Sequence, residues 1–103
     1  MSGTSAKTDI SAMYNIQSAQ YRVKKSMEKL LGRIHDLDIQ KQSMIDESHL
    51  IESGQKVAVL GSIHDRYTPK QVRAKAKYYH TAKLRELQLE LSFYETIYEA
   101  LSK

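Results

Sequence analysis

The sequence has no cysteine and little proline or glycine, and each shortage narrows the structures that it can form. Without cysteine, a disulfide framework, a thiolate metal site and a thiol nucleophile are all excluded. One proline and four glycines in 103 residues are too few for the many turns of an all-β chain. Lysine, glutamate, glutamine, leucine and alanine are abundant, and all of them favour helix. We therefore predict an all-α fold.

Long apolar runs are also missing. The start of the chain, MSGTSAKTDIS, has no apolar core of signal-peptide length, and the longest purely apolar run covers only residues 57–60. These absences predict a soluble, cytoplasmic protein, although a component of a secreted or viral assembly fits the same sequence. The net charge of +4 is compatible with nucleic-acid binding without requiring it.

A long run of helical periodicity fills the first half of the chain. Apolar residues recur there at alternating steps of three and four, and nine of the twelve positions in this seam are apolar. The three polar positions, Gln20, Lys41 and Ser48, are of the kind that fixes the register between paired helices. The pattern predicts one helix over residues 9–53, after a flexible tail over residues 1–8.

A second helix has a clear start signal. Thr68 is followed by Pro69 and then by Gln71, the residue types of an N-cap, a first helical position and a capping box. The apolar stripe that follows has neither glycine nor proline, so we predict a helix over residues 69–102 and a connection over residues 54–68. Its members are Val72, Ala76, Tyr79, Leu84, Leu87, Leu91, Tyr94, Tyr98 and Leu101.

The charges predict how the two helices pair. The net charge by block is +4 for residues 21–33, −4 for 34–53, +7 for 54–85 and −3 for 86–103. An antiparallel fold brings opposite signs together, whereas a parallel fold opposes like signs. We therefore predict a single domain over residues 9–103, an elongated, coiled-coil-like antiparallel hairpin. Pairing Ile51 with Lys70 places Val23 near Tyr98.

The connection contains an apolar cluster with two interpretations. Val57, Ala58, Val59 and Leu60 could form part of a short helix, from about residue 55 to 66, that buries them against the hairpin. Alternatively they stay exposed and contact a partner, because apolar clusters are unfavourable surfaces to leave in water. Val57, Val59 and Leu60 are therefore candidate interface residues.

The second helix carries more apolar surface than one partner helix can cover. Leu89, Phe93 and Ile97 form a second row beside the main stripe, with Glu86 and Glu90 between the two. We predict that this row serves self-association, most simply a homodimer that forms a four-helix bundle, or docking into a larger assembly.

A basic cluster with tyrosines is the best candidate for nucleic-acid contact. It consists of Lys70, Arg73, Lys75, Lys77 and Tyr78, whose cations could meet phosphates while the ring stacks on a base. The alternative is that acidic residues of the first helix already pair with these cations within the hairpin.

No residue set predicts catalysis or a cofactor. The four histidines show neither an i,i+4 pair nor a metalloprotease motif, so no metal site is expected. Residues 31–42 and 60–71 agree at seven of twelve positions, including LGxIHD, which is either a trace of duplication or a coincidence. The leading hypothesis is a non-enzymatic helical adaptor, assembly factor or chaperone-like subunit, like those of secretion machines and viral particles. A nucleic-acid-binding helical protein is the first alternative, and a small all-α enzyme is the second.

Overall fold

The computed structural model describes the backbone of residues 2–103 and the side chains of residues 15–103. Its helices are α1 (Ser2–Glu52), α2 (Ile63–Arg66) and α3 (Pro69–Ser102), and the described residues contain no strand. The predicted all-α helical hairpin is confirmed, and its second long helix has the predicted bounds. The flexible tail predicted for residues 1–8 falls on residues whose side chains lie outside this description, so it stays a prediction.

Local hydrogen bonds explain where α1 ends. Gly54 has a φ of 78°, in the left-handed region that glycine adopts without a steric penalty. Its N–H donates to the Ile51 carbonyl at 3.1 Å, and the N–H of Gln55 donates to the Leu50 carbonyl at 2.9 Å. These two bonds are the Schellman motif, which satisfies carbonyls left free at the end of a helix.

The start of α3 is fixed by the predicted capping box. The N–H of Gln71 donates to Thr68 Oγ1 at 3.2 Å, and the N–H of Thr68 donates to Gln71 Oε1 at 3.0 Å. Pro69 occupies the first helical position, where its missing N–H costs nothing. The side chains of Thr68 and Gln71 therefore satisfy each other's main-chain donors and define the helix start.

The short helix predicted for about residues 55–66 is wrong in extent. Only Ile63–Arg66 is helical, and residues 57–59 have no regular structure. Gly61, with a φ of 80°, turns the chain just before α2 and prevents the helix from extending backwards. The interpretation in which this helix buries the apolar cluster is also wrong, because Val57, Val59 and Leu60 are exposed.

The chain divides into two compact units. The central unit is Arg33–Leu87, and the terminal unit combines the part of α1 up to Gly32 with Gln88–Lys103. In the central unit the buried residues are Leu37, Ser48, His64, Val72, Ala76, His80 and Leu87. In the terminal unit, among residues whose side chains are described, Leu30 alone is buried.

The polar seam residues mark the pairing of the helices. In the central unit, Arg73 donates to Ser48 Oγ at 3.3 Å, and in the terminal unit Gln20 donates to the Leu101 carbonyl at 3.1 Å. Both pairs agree with the register that follows from setting Ile51 opposite Lys70. Ser48 and Gln20 thus make the cross-helix contacts expected of polar residues that specify register.

One position of the predicted α3 stripe is wrong. Tyr79 is exposed, and the next residue, His80, takes the buried place. The ring of His80 hydrogen-bonds through Nε2 to Asp38 Oδ1 on α1. A buried imidazole needs such a polar partner, and Asp38 supplies it from the facing helix.

Candidate interaction surfaces

A single carboxylate anchors the connection on both sides of its apolar cluster. Glu47 on α1 accepts a hydrogen bond from Lys56 Nζ at 2.6 Å, just before the cluster. It also accepts one from His64 Nε2 at 2.9 Å, just after the cluster, and the His64 side chain is buried. The chain between Lys56 and His64 therefore has both ends fixed to one point of α1.

The charge state of Glu47 suits this role. The hydrogen bond from Lys56 is the main influence that holds the pKa of the Glu47 carboxyl below its ordinary value. Burial opposes the shift, and the electrostatic influence of His64 and Lys56 adds to it. Glu47 is therefore ionised at neutral pH and can accept both hydrogen bonds at once.

Hydrogen bonds donated by main-chain N–H groups define the rest of the loop. The N–H of Gly61 donates to Asp65 Oδ2 at 2.9 Å, and the N–H of Ser62 donates to the Val59 carbonyl at 3.0 Å. On the other side, the N–H of Lys56 donates to the Leu50 carbonyl at 3.2 Å. These hydrogen bonds give the loop one defined conformation.

This anchored loop exposes three aliphatic side chains, and we call residues 57–60 the VAVL segment. Val57 is 87% exposed, Val59 is 64% exposed and Leu60 is 90% exposed, whereas Ala58 is half-buried. Leaving three neighbouring aliphatic side chains in water is unfavourable. Of the two sequence interpretations, the geometry agrees with exposure.

The second apolar row on α3 is also uncovered. In the terminal unit, Leu89 is 68% exposed and Phe93 is 64% exposed, while Ile97 is half-buried. The Phe93 ring meets Tyr94 edge to face, with centroids 5.9 Å apart. The row therefore lies mostly outside the seam between α1 and α3, as the sequence predicts.

The basic cluster does not form one face. Arg73 pairs with Glu52 of α1, and Lys75 lies over the Tyr67 ring at 4.2 Å. Neither Lys70 nor Lys77 forms an ion pair with any residue that the structure describes. At about 100° per helical residue, Lys77 shares a face of α3 with Lys70 and Arg73, but Lys75 points roughly 200° away from Lys77, so the whole cluster cannot follow one phosphate chain.

An open groove of about 630 Å³ lies beside the basic cluster in the central unit. Its lining includes the apolar side chains of Met44 and Ile63 together with Lys75, Tyr78 and Tyr79. Tyr78 is 79% exposed. The groove is wide and shallow, and no converging polar groups in it suggest a specific small-molecule site.

The histidines serve different structural roles and do not converge. His64 and His80 are buried, each against one carboxylate, whereas His35 and His49 are exposed. The described residues contain no group of three or more potential ligands placed to hold a metal ion. The two LGxIHD copies also differ, because His35 lies within α1 and His64 lies in α2.

Comparison with protein-family models, curated proteins and solved structures finds no match to this chain. None of the helices that the structure describes has both the length and the apolar character needed to cross a membrane. Function must therefore be inferred from the surfaces themselves.

Proposed function

We propose that this chain is a non-enzymatic protein–protein interaction module, a small helical adaptor, assembly factor or chaperone-like subunit, that binds a partner protein through the VAVL segment. The observation that carries this proposal is the exposure of Val57, Val59 and Leu60 on a loop whose two sides are both held by Glu47. The partner supplies a complementary apolar pocket.

Anchoring makes this loop a better binding element than a flexible one. A loop that is ordered only on binding loses conformational entropy at that moment, which weakens the affinity. Here the bonds from Lys56 and His64 to Glu47 hold the loop before a partner arrives. Aliphatic side chains that are fixed and exposed together can then enter a pocket with little further ordering.

Affinity capture with three versions of the intact chain tests the proposal. The wild-type chain, a Val57→Ser/Val59→Ser/Leu60→Ser variant and an Ile39→Ser control are immobilised, and the proteins retained by each are quantified. Ile39 is also an exposed aliphatic residue of the central unit, but it lies on α1. We expect one partner to be retained by the wild type and the control and lost by the triple variant.

Circular dichroism serves as the folding control, because the three side chains are exposed and their loss should leave the helices intact. Equal retention by all three versions would show that the VAVL segment does not carry binding. If the triple variant unfolds, the segment is part of the core and the proposal is wrong.

Nucleic-acid binding is the weaker candidate, and one observation favours it. Tyr78 is largely exposed beside Lys75, and Lys70 and Lys77 have no ion pair among the described residues. Retention on single-stranded DNA that falls steeply with salt would support this candidate. It should then be lost in a Lys70→Glu/Lys77→Glu variant, whereas no retention at low salt removes the candidate.

A further inference from the structure

The terminal unit has one exposed apolar row and one exposed basic row. On α3, the apolar row is Leu89, Phe93 and Ile97. On α1, Arg22, Ser26 and Lys29 fall on one flank of the seam at about 100° per residue, and both basic side chains are exposed. The two rows belong to different helices. Whether they lie on the same face of the helix pair depends on how α1 and α3 are turned toward each other.

The hydrogen bonds of Gln20 show that the two rows share a face. Gln20 lies on the flank of α1 opposite the basic row, and its amide lies 3.4 Å from Ser102 Oγ on α3. By the same helical periodicity, Ser102 lies on the flank of α3 opposite Phe93. Since Gln20 and Ser102 meet on one face of the helix pair, the apolar row and the basic row both lie on the other.

The charges on this face have no partners within the described part of the terminal unit. Glu90 lies beside the apolar row, and it makes no ion pair with α1. Arg22 and Lys29 likewise make none, and the one ion pair among the described residues of this unit is Lys25 with Glu28, at 3.4 Å within α1. The predicted attraction between the 21–33 and 86–103 blocks therefore produces no ion pair between α1 and α3 among the described residues of this unit.

We propose that a second copy of this chain docks on this face about a two-fold axis parallel to the helices, so that the apolar row of each α3 packs on the basic row of the other copy's α1. Glu90 of one copy then faces Lys29 of the second copy. The aliphatic stem of Lys29 covers Phe93 and that of Arg22 covers Ile97, while their charged ends stay in water. The result is a four-helix arrangement in which acidic and basic helices alternate.

Charge complementarity identifies the occupant. Packing α3 against α3 of the second copy would bring one Glu90 toward the other and one basic α1 row toward the other, and both contacts are repulsive. Packing α3 against α1 instead opposes unlike charges in both contacts. The hairpin register also places Lys29 of the second copy close to the level of Glu90, so no sliding is needed.

The area available also favours a second copy. A contact confined to the row of Leu89, Phe93 and Ile97 is short, and interfaces that bury less than about 1,200 Å² are typical of weak, transient encounters. The two-fold arrangement makes the same contact twice, because each chain supplies both the apolar row and the basic row. This surface is distinct from the VAVL segment, so the inference goes beyond the proposed function.

Molar mass from light scattering over a dilution series, with the intact chain, gives the first test. We expect a dimer that dissociates on dilution, and a Phe93→Ser variant whose dissociation constant rises at least about tenfold. Ile39→Ser, an exposed aliphatic change in the central unit, is the control and should leave the mass unchanged. Helix content by circular dichroism should be the same in all three.

A charge swap gives the sharper test and does not depend on removing an apolar side chain. Glu90→Lys and Lys29→Glu should each weaken the dimer at least about tenfold, because each opposes like charges twice. Mixing the two variants should restore dimers, since both contacts in the mixed pair join unlike charges. Glu99→Lys is the matched control, because Glu99 is exposed on the other flank of α3.

Several outcomes overturn the inference. A wild-type chain that is monomeric at the highest concentration, or a Phe93→Ser variant that is as dimeric as the wild type, excludes this interface. Loss of helix in Phe93→Ser shows that the row is core.

Charge variants that do not recover on mixing show that Glu90 and Lys29 do not meet between copies. Binding of the apolar row to another protein's basic helix, with no dimer, excludes a second copy as the occupant. Capture through the VAVL segment is scored separately with each variant, so either proposal can fail alone.

Discussion

The two units of this chain are built from the same two helices, yet they are stabilised differently. In the central unit, polar contacts join α1 to α3 and to the connection, through Asp38 with His80, Glu52 with Arg73, and Glu47 with Lys56 and His64. In the described part of the terminal unit, the polar contacts between helices come from Gln20 alone. Two helices alone bury the side chains along a single line of contact. In the central unit, the connection packs on the helices as well and adds further contacts.

The same difference assigns separate roles to the two exposed apolar surfaces. The VAVL segment belongs to the central unit, where Lys56 and His64 hold the loop against α1 through Glu47. Its exposure therefore suits a fixed binding surface. The row of Leu89, Phe93 and Ile97 lies on a unit with little buried apolar area among its described residues, so covering this row also stabilises the unit. One surface is therefore proposed for a partner and the other for a second copy.

The largest expected effect compares one leucine from each unit. Leu37→Ala removes a buried side chain from the central unit and leaves a cavity, so the free energy of unfolding should fall by about 2–5 kcal/mol. Leu89→Ala, measured by urea denaturation at a concentration at which light scattering gives the mass of one chain, should change it by less than about 0.5 kcal/mol. Equal losses for the two variants would mean that Leu89 is core and that the comparison of the units is wrong.

A smaller effect is expected from the cross-helix polar pair of the central unit. Asp38→Ala leaves the buried His80 ring without its carboxylate partner, and an unsatisfied buried polar group costs about 1–3 kcal/mol. Because the Asp38 side chain is itself mostly exposed, water can replace part of the contact, so we expect about 1 kcal/mol. Glu95→Ala, an exposed acidic change in the terminal unit, is the control and should have little effect. Urea denaturation measures the free energy of unfolding of both variants. If Asp38→Ala leaves it unchanged, His80 needs no partner.

The sequence was sufficient for those features that depend on local patterns. Thr68, Pro69 and Gln71 predict the start of α3, and the charge blocks predict the antiparallel pairing. The register also follows, because polar and apolar seam positions leave few ways to pair. The residues of the second α3 row were found because they repeat at helical spacing outside the main stripe.

The features that the sequence did not predict depend on which side chains meet in three dimensions, across the loop and between the helices. Glu47 is one of several acidic residues on α1, and nothing in its spacing indicates that Lys56 and His64 both reach it. His80 and Tyr79 are neighbours that suit a buried position about equally well, and the location of Asp38 on the facing helix decides between them. Charge blocks likewise predict attraction between segments but not which ions come within contact distance.

Two glycines should respond in opposite directions to the same substitution. Gly61→Ala places a side chain at a φ of 80°, so we expect a loss of about 1 kcal/mol in the free energy of unfolding of the central unit. Gly32 lies inside α1, and a Cβ there would meet nothing within 4 Å, so Gly32→Ala should stabilise by about 0.5–1 kcal/mol. Thermal denaturation of each variant measures the sign. A destabilising Gly32→Ala would indicate that a bend or a close contact at Gly32 is needed.

The smallest expected effect is the response of the VAVL loop to acid, which tests whether Glu47 holds it. The pKa of Glu47 is lower in the folded chain than in the unfolded one, so its contribution to stability is complete above the unfolded value of 4.5 and is lost as the pH falls through the folded value. As the pH falls from the unfolded value through the folded one, the amide of Ser62 should therefore lose its protection against hydrogen exchange while both long helices persist, as measured by NMR. A Glu47→Gln variant should show low protection of this amide at all pH values, because it lacks the charge that pairs with Lys56 and His64. An acid transition that survives in Glu47→Gln would assign the anchoring of this loop to some other group and would remove the physical basis for treating it as a preformed binding surface.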